Sequence, residues 1–184
     1  MNGLFEAGLE IQHFLQKKNW KFCFIGGLAV IRWGESRMTQ DIDLSLFTGF
    51  GNERKYIEDI LELFKSRISE PIDFALKNRV MLVFASNDVA VDITCAGLPF
   101  ESEMIERATF YDFDVDCSLL TCSAEDLIVL KAFANRTRDW NDVEGVILKN
   151  RKSLDADYIF RQLTPLCELK GAPEIIRKLE KLFK

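Results

Sequence analysis

Residues 41–46 read Asp-Ile-Asp-Leu-Ser-Leu, a strict alternation of polar and apolar side chains. That period of two specifies a strand with unlike faces: Ile42, Leu44 and Leu46 on one side, Asp41, Asp43 and Ser45 on the other. The apolar side packs on helices. Carboxylates are costly to bury without partners, so the acidic side opens to a cleft. Two carboxylates this close repel unless a cation lies between them, and hard oxygen donors suit Mg2+ or Mn2+.

What surrounds this strand narrows the reading. Phe22 to Ile25 is a short apolar strand, Gly26-Gly27 breaks it, and Leu28 to Trp33 reads as a short helix ended by Gly34. Glycines at a strand-to-helix turn let backbone approach a ligand closely, and the helix start favours an anion such as phosphate. The same glycines also serve a tight turn with no ligand. Arg37 and Thr39 lie just before Asp41, where a guanidinium suits phosphate oxygens. A second strand, Val89 to Thr94, alternates in the same way and projects Asp92 from the face opposite Val89, Val91 and Ile93. If the two strands are neighbours, Asp41, Asp43 and Asp92 form a cluster able to hold one or two metal ions. Otherwise they are the wet face of half-exposed strands. Asp112, Asp114 and Asp116 alternate with apolar residues too, but no glycine turn precedes them, and they read as a solvated strand face.

The rest of the chain bounds the chemistry. With 184 residues, 48% of them hydrophobic, it supports one compact domain or a core with a small helical appendage. The only histidine is His13, on an expected amphipathic helix over residues 4–18, so histidine triads and histidine-rich metal sites are excluded. Five scattered cysteines without a Cys-x-x-Cys favour reduced thiols in a cytoplasmic protein. No apolar run is long enough to span a membrane, and the first 18 residues do not read as a secretory signal. The net charge of −5 argues against a broad nucleic-acid-coating face but leaves room for a local basic pocket.

Further periodicities predict a helix over 53–67, a hairpin of Arg79–Ala85 and Val89–Thr94 turning at Ser86-Asn87-Asp88, and a strand from Phe110 to Cys117. Ser123-Ala-Glu-Asp126 is a capping box opening a helix to about Asn135. A helix over 140–148 and a helical tail ending in Pro173 to Phe183 follow. The expected fold class is α+β (α/β): a small mixed β-sheet flanked by helices over residues 1–117, with a helical C-terminal region, 118–184, packed on it.

The order of strand, Gly-Gly, short helix, Arg-x-Thr-x-Asp-x-Asp and a further strand acid resembles the nucleotidyltransferase superfamily, whose fold is that of DNA polymerase β. Within it, IGGLAVIRWGESRMTQDIDLSL and LLTCSAEDLIVLKAFANRTRDWNDVEGVI look most like the AbiEii-type nucleotidyltransferase toxins and their relatives. The resemblance implies Asp41, Asp43 and Asp92 as metal ligands, with Asp92 also the base for an acceptor hydroxyl. It implies Gly26, Gly27, Arg37, Thr39 and Lys131 at the nucleotide, with Arg136, Asp139 and Asp142 as accessory residues. Lys131 falls about two turns into a mostly apolar helix, where the bland alternative is a snorkelling lysine, and the alternative for Asp139 is a helix cap with Asp142 in its first turn.

The implied activity is Mg2+- or Mn2+-dependent transfer of a nucleoside monophosphate from a nucleoside triphosphate to an acceptor hydroxyl. RNA, tRNA or protein is the implied acceptor, in a toxin–antitoxin or phage-defence setting with a cognate antitoxin. Two rivals stand beside it: transfer to an aminoglycoside or lincosamide, and a non-catalytic nucleotide- or partner-binding protein with this fold.

Overall fold

Alternation in the sequence becomes sheet, and the helical stripes cover one of its faces. The structure, a computed structural model, describes residues 2–35 and 37–184. It divides into two compact units. The first holds the residues up to Leu28 together with Met38–Cys122; the second holds Ala29–Arg37 and Ser123–Lys184. The division passes through a helix, α2 (Gly26–Trp33), which the expected boundary at residue 117 did not foresee.

The first unit begins with α1 (Gly3–Lys17) and β1 (Phe22–Phe24). Beyond α2 come β2 (Asp41–Phe47), α3 (Glu53–Leu61), β3 (Lys65–Ser66), α4 (Pro71–Asn78), β4 (Val80–Phe84) and β5 (Ala90–Ala96). It closes with α5 (Pro99–Arg107) and the hairpin β6 (Thr109–Asp114) and β7 (Cys117–Thr121). Seven strands form one mixed sheet in the order β3-β4-β5-β2-β1-β7-β6. β2 runs parallel to β5, and β1 runs antiparallel to β2 and parallel to β7.

The core lies on one sheet face. Ile42, Leu44, Leu46, Val91, Ile93, Met81 and Val83 are buried there with Leu4, Ala7, Ile11 and Leu15 of α1 and Ile57 and Ile60 of α3. Burial of this kind contributes roughly 1.5–3 kcal/mol per large apolar side chain and is what orients the sheet. Gln12 fixes α1 against β7: its amide nitrogen donates to Ser118 O and its amide oxygen accepts from Leu120 N, each at 2.9 Å.

The structure departs from the sequence reading in several places. The expected helix over 53–67 stops at Leu61, because the chain turns there and tucks Phe64 into the core. The stripe therefore continues past the helix it suggested. The strand expected to end at Cys117 is two strands, and Cys117–Thr121 belongs to the sheet, not to a helical tail. α2 starts at Gly26, not Leu28. The hairpin of β4 and β5 forms as its turn residues suggest, with Asp88 at φ 62°.

In the second unit, α6 (Ala124–Ala134) is apolar on nearly every side and is met by α7 (Thr137–Asn150), α8 (Ala156–Lys170) and α9 (Glu174–Phe183). Ser123 caps α6 by accepting the Asp126 N–H at 3.1 Å, as the capping box foretold. Asp126 is fully buried and accepts from Ser123 Oγ and Tyr158 Oη, each at 2.7 Å. That hydroxyl ties α8 to the first turn of α6. Tyr158→Phe should therefore lower unfolding free energy by about 1–2 kcal/mol, since a buried carboxylate loses a donor. Urea denaturation of the two proteins measures it, and equal stability would discard the tie.

Candidate functional site

The decisive geometry is a register. β2 and β5 are parallel neighbours in which Asp43 is the Cα partner of Asp92, and Asp41 that of Ala90. Paired residues on adjacent strands, about 4.8 Å apart, point to the same face. Asp41, Asp43 and Asp92 therefore stand together on the face opposite the core. Asp41 is exposed, and Asp43 and Asp92 are half-buried.

The glycine pair approaches this face closely. A Cβ on Gly26 would come within 1.9 Å of Asp43 Oδ2, and one on Gly27 within 2.3 Å of Thr39 Oγ1. Gly26 also has φ +55°, which other residues adopt with strain. The Gly27 N–H reaches Asp43 Oδ2 at 3.4 Å. Thr39 Oγ1 donates to Asp41 Oδ1 at 3.1 Å. The glycines thus let the start of α2 sit directly on the acidic strand, and Thr39 orients the first acid.

One residue of this face was not foreseen. Arg67, just after β3, donates from Nη1 to Asp92 Oδ1. No local pattern marks it, since its place depends on β3 pairing with β4 at the far edge of the sheet.

The other expected residues gather in the second unit. Arg37 grips Asp142 with two bonds, Nε to Oδ1 at 2.9 Å and Nη2 to Oδ2 at 3.1 Å. Lys131 is buried and its Nζ sits 3.1 Å from Asp139 Oδ1 and 2.9 Å from Asp142 Oδ2. Arg136 donates to Asp139 at 2.6 Å and 3.3 Å. Lys131 is thus no snorkelling lysine. Asp139 is no cap, because α7 begins at Thr137 with Arg136 in the cap position. Burial pushes both carboxyls up, but hydrogen bonds from Arg136 and Lys131 to Asp139, and from Arg37 and Lys131 to Asp142, more than offset it. Both are held below the ordinary aspartate value.

The acidic face suits a hard divalent cation by its donor chemistry. Mg2+ takes one or two protein carboxylates and completes its shell with water and phosphate oxygens. Asp41 and Asp43 supply that number, and Gly26 leaves room for the Asp43 carboxylate. Among the described residues, no three His, Cys, Asp or Glu side chains are gathered tightly enough to enclose an ion by themselves. A ligand would therefore have to complete the shell. All five cysteines are buried and unbonded to one another, and burial pushes the Cys95 thiol up to about 11. Among the described residues, no helix is long and apolar enough to cross a membrane.

Comparison with known proteins bears on the family and the fold. The family model described as "Nucleotidyl transferase AbiEii toxin, Type IV TA system" matches residues 13–172. No curated protein sequence matches the chain. Among solved structures, the antibiotic-resistance factor ANT(2'')-Ia superposes with a TM-score of 0.58 at 16% identity, covering 95% of this chain and 96% of its own. An antigenic nucleotidyltransferase-like protein from Paracoccidioides brasiliensis gives 0.54 at 11%, covering 97% and 93%. The lincosamide antibiotic adenylyltransferase LnuA, bound to lincomycin, gives 0.52 at 13%, covering 77% and 94%. At these identities the likeness shows a shared nucleotidyltransferase fold.

The ion network of the second unit has a pH signature. Asp139 and Asp142 are harder to protonate folded than unfolded, so their pairing stabilises the fold above the ordinary value of 3.8. That stability is lost as pH falls through their lowered folded values. Asp142→Asn should cost about 1–3 kcal/mol at pH 7 and flatten the loss of stability below about pH 4. Denaturation midpoints from pH 2.5 to 7 measure this, and parallel profiles for the two proteins would refute it.

Proposed function

Because the chain belongs to the family of nucleotidyl transferase AbiEii toxins of Type IV toxin–antitoxin systems, we propose that it moves a nucleoside monophosphate from a nucleoside triphosphate to an acceptor hydroxyl. The observation that carries this reading is the pairing of Asp43 with Asp92 across β2 and β5, beside a glycine that gives Asp43 its room. Three acids on one face, two of them on one strand, suit a metal–triphosphate complex better than a plain wet surface.

In this reading Asp41 and Asp43 hold Mg2+ or Mn2+, oriented by Thr39 and by the Gly27 N–H. Bound metal supplies charge stabilisation to the triphosphate as it reacts. Asp92 takes the proton of the acceptor hydroxyl, whose oxygen bonds to the α-phosphorus while the bond to the β-phosphate bridging oxygen breaks and pyrophosphate leaves. Arg37 and Lys131, which the family resemblance assigns to phosphate, are engaged by Asp142 and Asp139. Nucleotide phosphates would compete with those carboxylates for them.

The family's toxin–antitoxin setting favours RNA, including tRNA, or protein as acceptor, and a cognate antitoxin as partner. Lincomycin and tobramycin belong to the named proteins of shared fold. They carry no weight for this chain beyond the fold itself.

The test is incubation with each α-labelled nucleoside triphosphate, Mg2+ or Mn2+, and either total RNA or an aminoglycoside panel. Label is expected in RNA, and Asp43→Ala should reduce its transfer by about 100-fold or more with an unchanged circular dichroism spectrum. Full activity in that variant would remove the metal assignment. Label in an aminoglycoside alone would replace the acceptor.

A further inference from the structure

We propose that Arg67 is a positioning residue that stands in for a cation at Asp92, holding its carboxylate on the acidic face until a divalent metal takes it. The inference rests on the metal-dependent reading above and adds a residue that the motifs do not contain.

Arg67 reaches Asp92 along a row that crosses the sheet. Its backbone N–H donates to Leu82 O at 2.9 Å. Leu82 is the Cα partner of Asp92 on β4, and Asp92 that of Asp43 on β2. Arg67 therefore stands one strand beyond Leu82, in line with both acids. From there its Nη1 donates to Asp92 Oδ1, and its guanidinium carbon lies 5.9 Å from the Phe84 ring centroid. Phe84, two residues from Leu82 on the same strand face, flanks the guanidinium.

The pair is built to be given up. Both side chains keep about a third of their surface in water, 28% for Arg67 and 34% for Asp92. A half-exposed ion pair is weak, because solvent screens it and two side chains must be held still. A divalent cation next to Asp43 attracts the Asp92 carboxylate more strongly than a screened guanidinium does. While the pair is made, Asp92 Oδ1 is engaged by the guanidinium. Without Arg67, Asp92 keeps its place on the face through the register of β5 with β2, and its carboxylate has no guanidinium for a metal to displace.

A merely structural strand-edge pair and a cation stand-in differ in one measurable respect. A stand-in competes with metal; a structural pair does not. Mn2+ binding to the nucleotide-free protein, followed by the loss of the free-ion electron paramagnetic resonance signal, reads this without any turnover. Arg67→Ala should tighten Mn2+ binding about two- to fivefold, the factor that loss of a half-exposed competing ion pair implies. Arg67→Gln, which keeps length and removes charge, should tighten it similarly, and Arg67→Lys should restore wild-type binding.

In the Asp92→Asn background, Arg67→Ala should have no effect, because the competing carboxylate is gone. Unchanged or weaker Mn2+ binding in both Arg67→Ala and Arg67→Gln, with Asp43→Asn still abolishing binding, would overturn the role of Arg67 and leave the metal site standing. Absence of Mn2+ binding in the wild-type protein and every variant, with and without nucleotide, would overturn the metal reading and this inference together.

Discussion

Everything the candidate site can do depends on parallel pairing between β2 and β5. A parallel pair places residues of equal register on one face, so Asp43 meets Asp92 only in the alignment found. A slip of one residue would turn Asp92 into the core and Ile93 or Val91 out to solvent, which the apolar packing forbids. The hydrophobic face therefore enforces the position of the acids. Gly26 is the second half of the constraint, because any side chain there would occupy the volume of the Asp43 carboxylate. Core packing fixes the row, and the missing Cβ leaves room for its charge.

The second unit solves a different electrostatic problem. Asp139 and Asp142 are almost fully buried, and buried carboxylates need cations and hydrogen bonds to remain charged. Lys131 lies between them, Arg136 serves one and Arg37 the other. Arg37 holds Asp142 of α7 by a bidentate grip within this unit. The basic residues of this network are thus already balanced by carboxylates, which spares the protein an unpaired buried lysine.

How far the sequence carried the reading follows from which features are local. Alternation at 41–46 and 89–94, the turn at 86–88 and the capping box at Ser123 are written in neighbouring residues, and all four form as read. Two helices passed over carry local marks of their own: Pro71 opens α4, and α5 has Pro99 in its first turn with the Glu101 carboxylate accepting Gly97 and Leu98 N–H groups at 2.7 and 2.8 Å. β7 is harder, because Cys-Ser-Leu-Leu-Thr is short and runs into a capping box, so it reads as an approach to a helix. Gln12 and Arg67 carry no local mark at all. Each earns its place through a strand brought beside it by the fold.

The acidic strand β6 shows why pattern alone could not settle the site. Asp112-Phe113-Asp114 has the same acid-apolar-acid spacing as Asp41-Ile42-Asp43, yet β6 lies at the end of the sheet order and its aspartates are exposed. Its one paired neighbour, β7, sets Ser118 opposite Asp112 and Cys117 opposite Asp114, so no second acid joins them. Charges on such an edge keep it from pairing with other chains. β2 lies inside the sheet, with β5 on one side bringing Asp92 and β1 on the other leading into Gly26. The same two-residue spacing is therefore protective at an edge and convergent in the interior. What separates the two is the strand that lies alongside, which is a property of the fold and not of the motif.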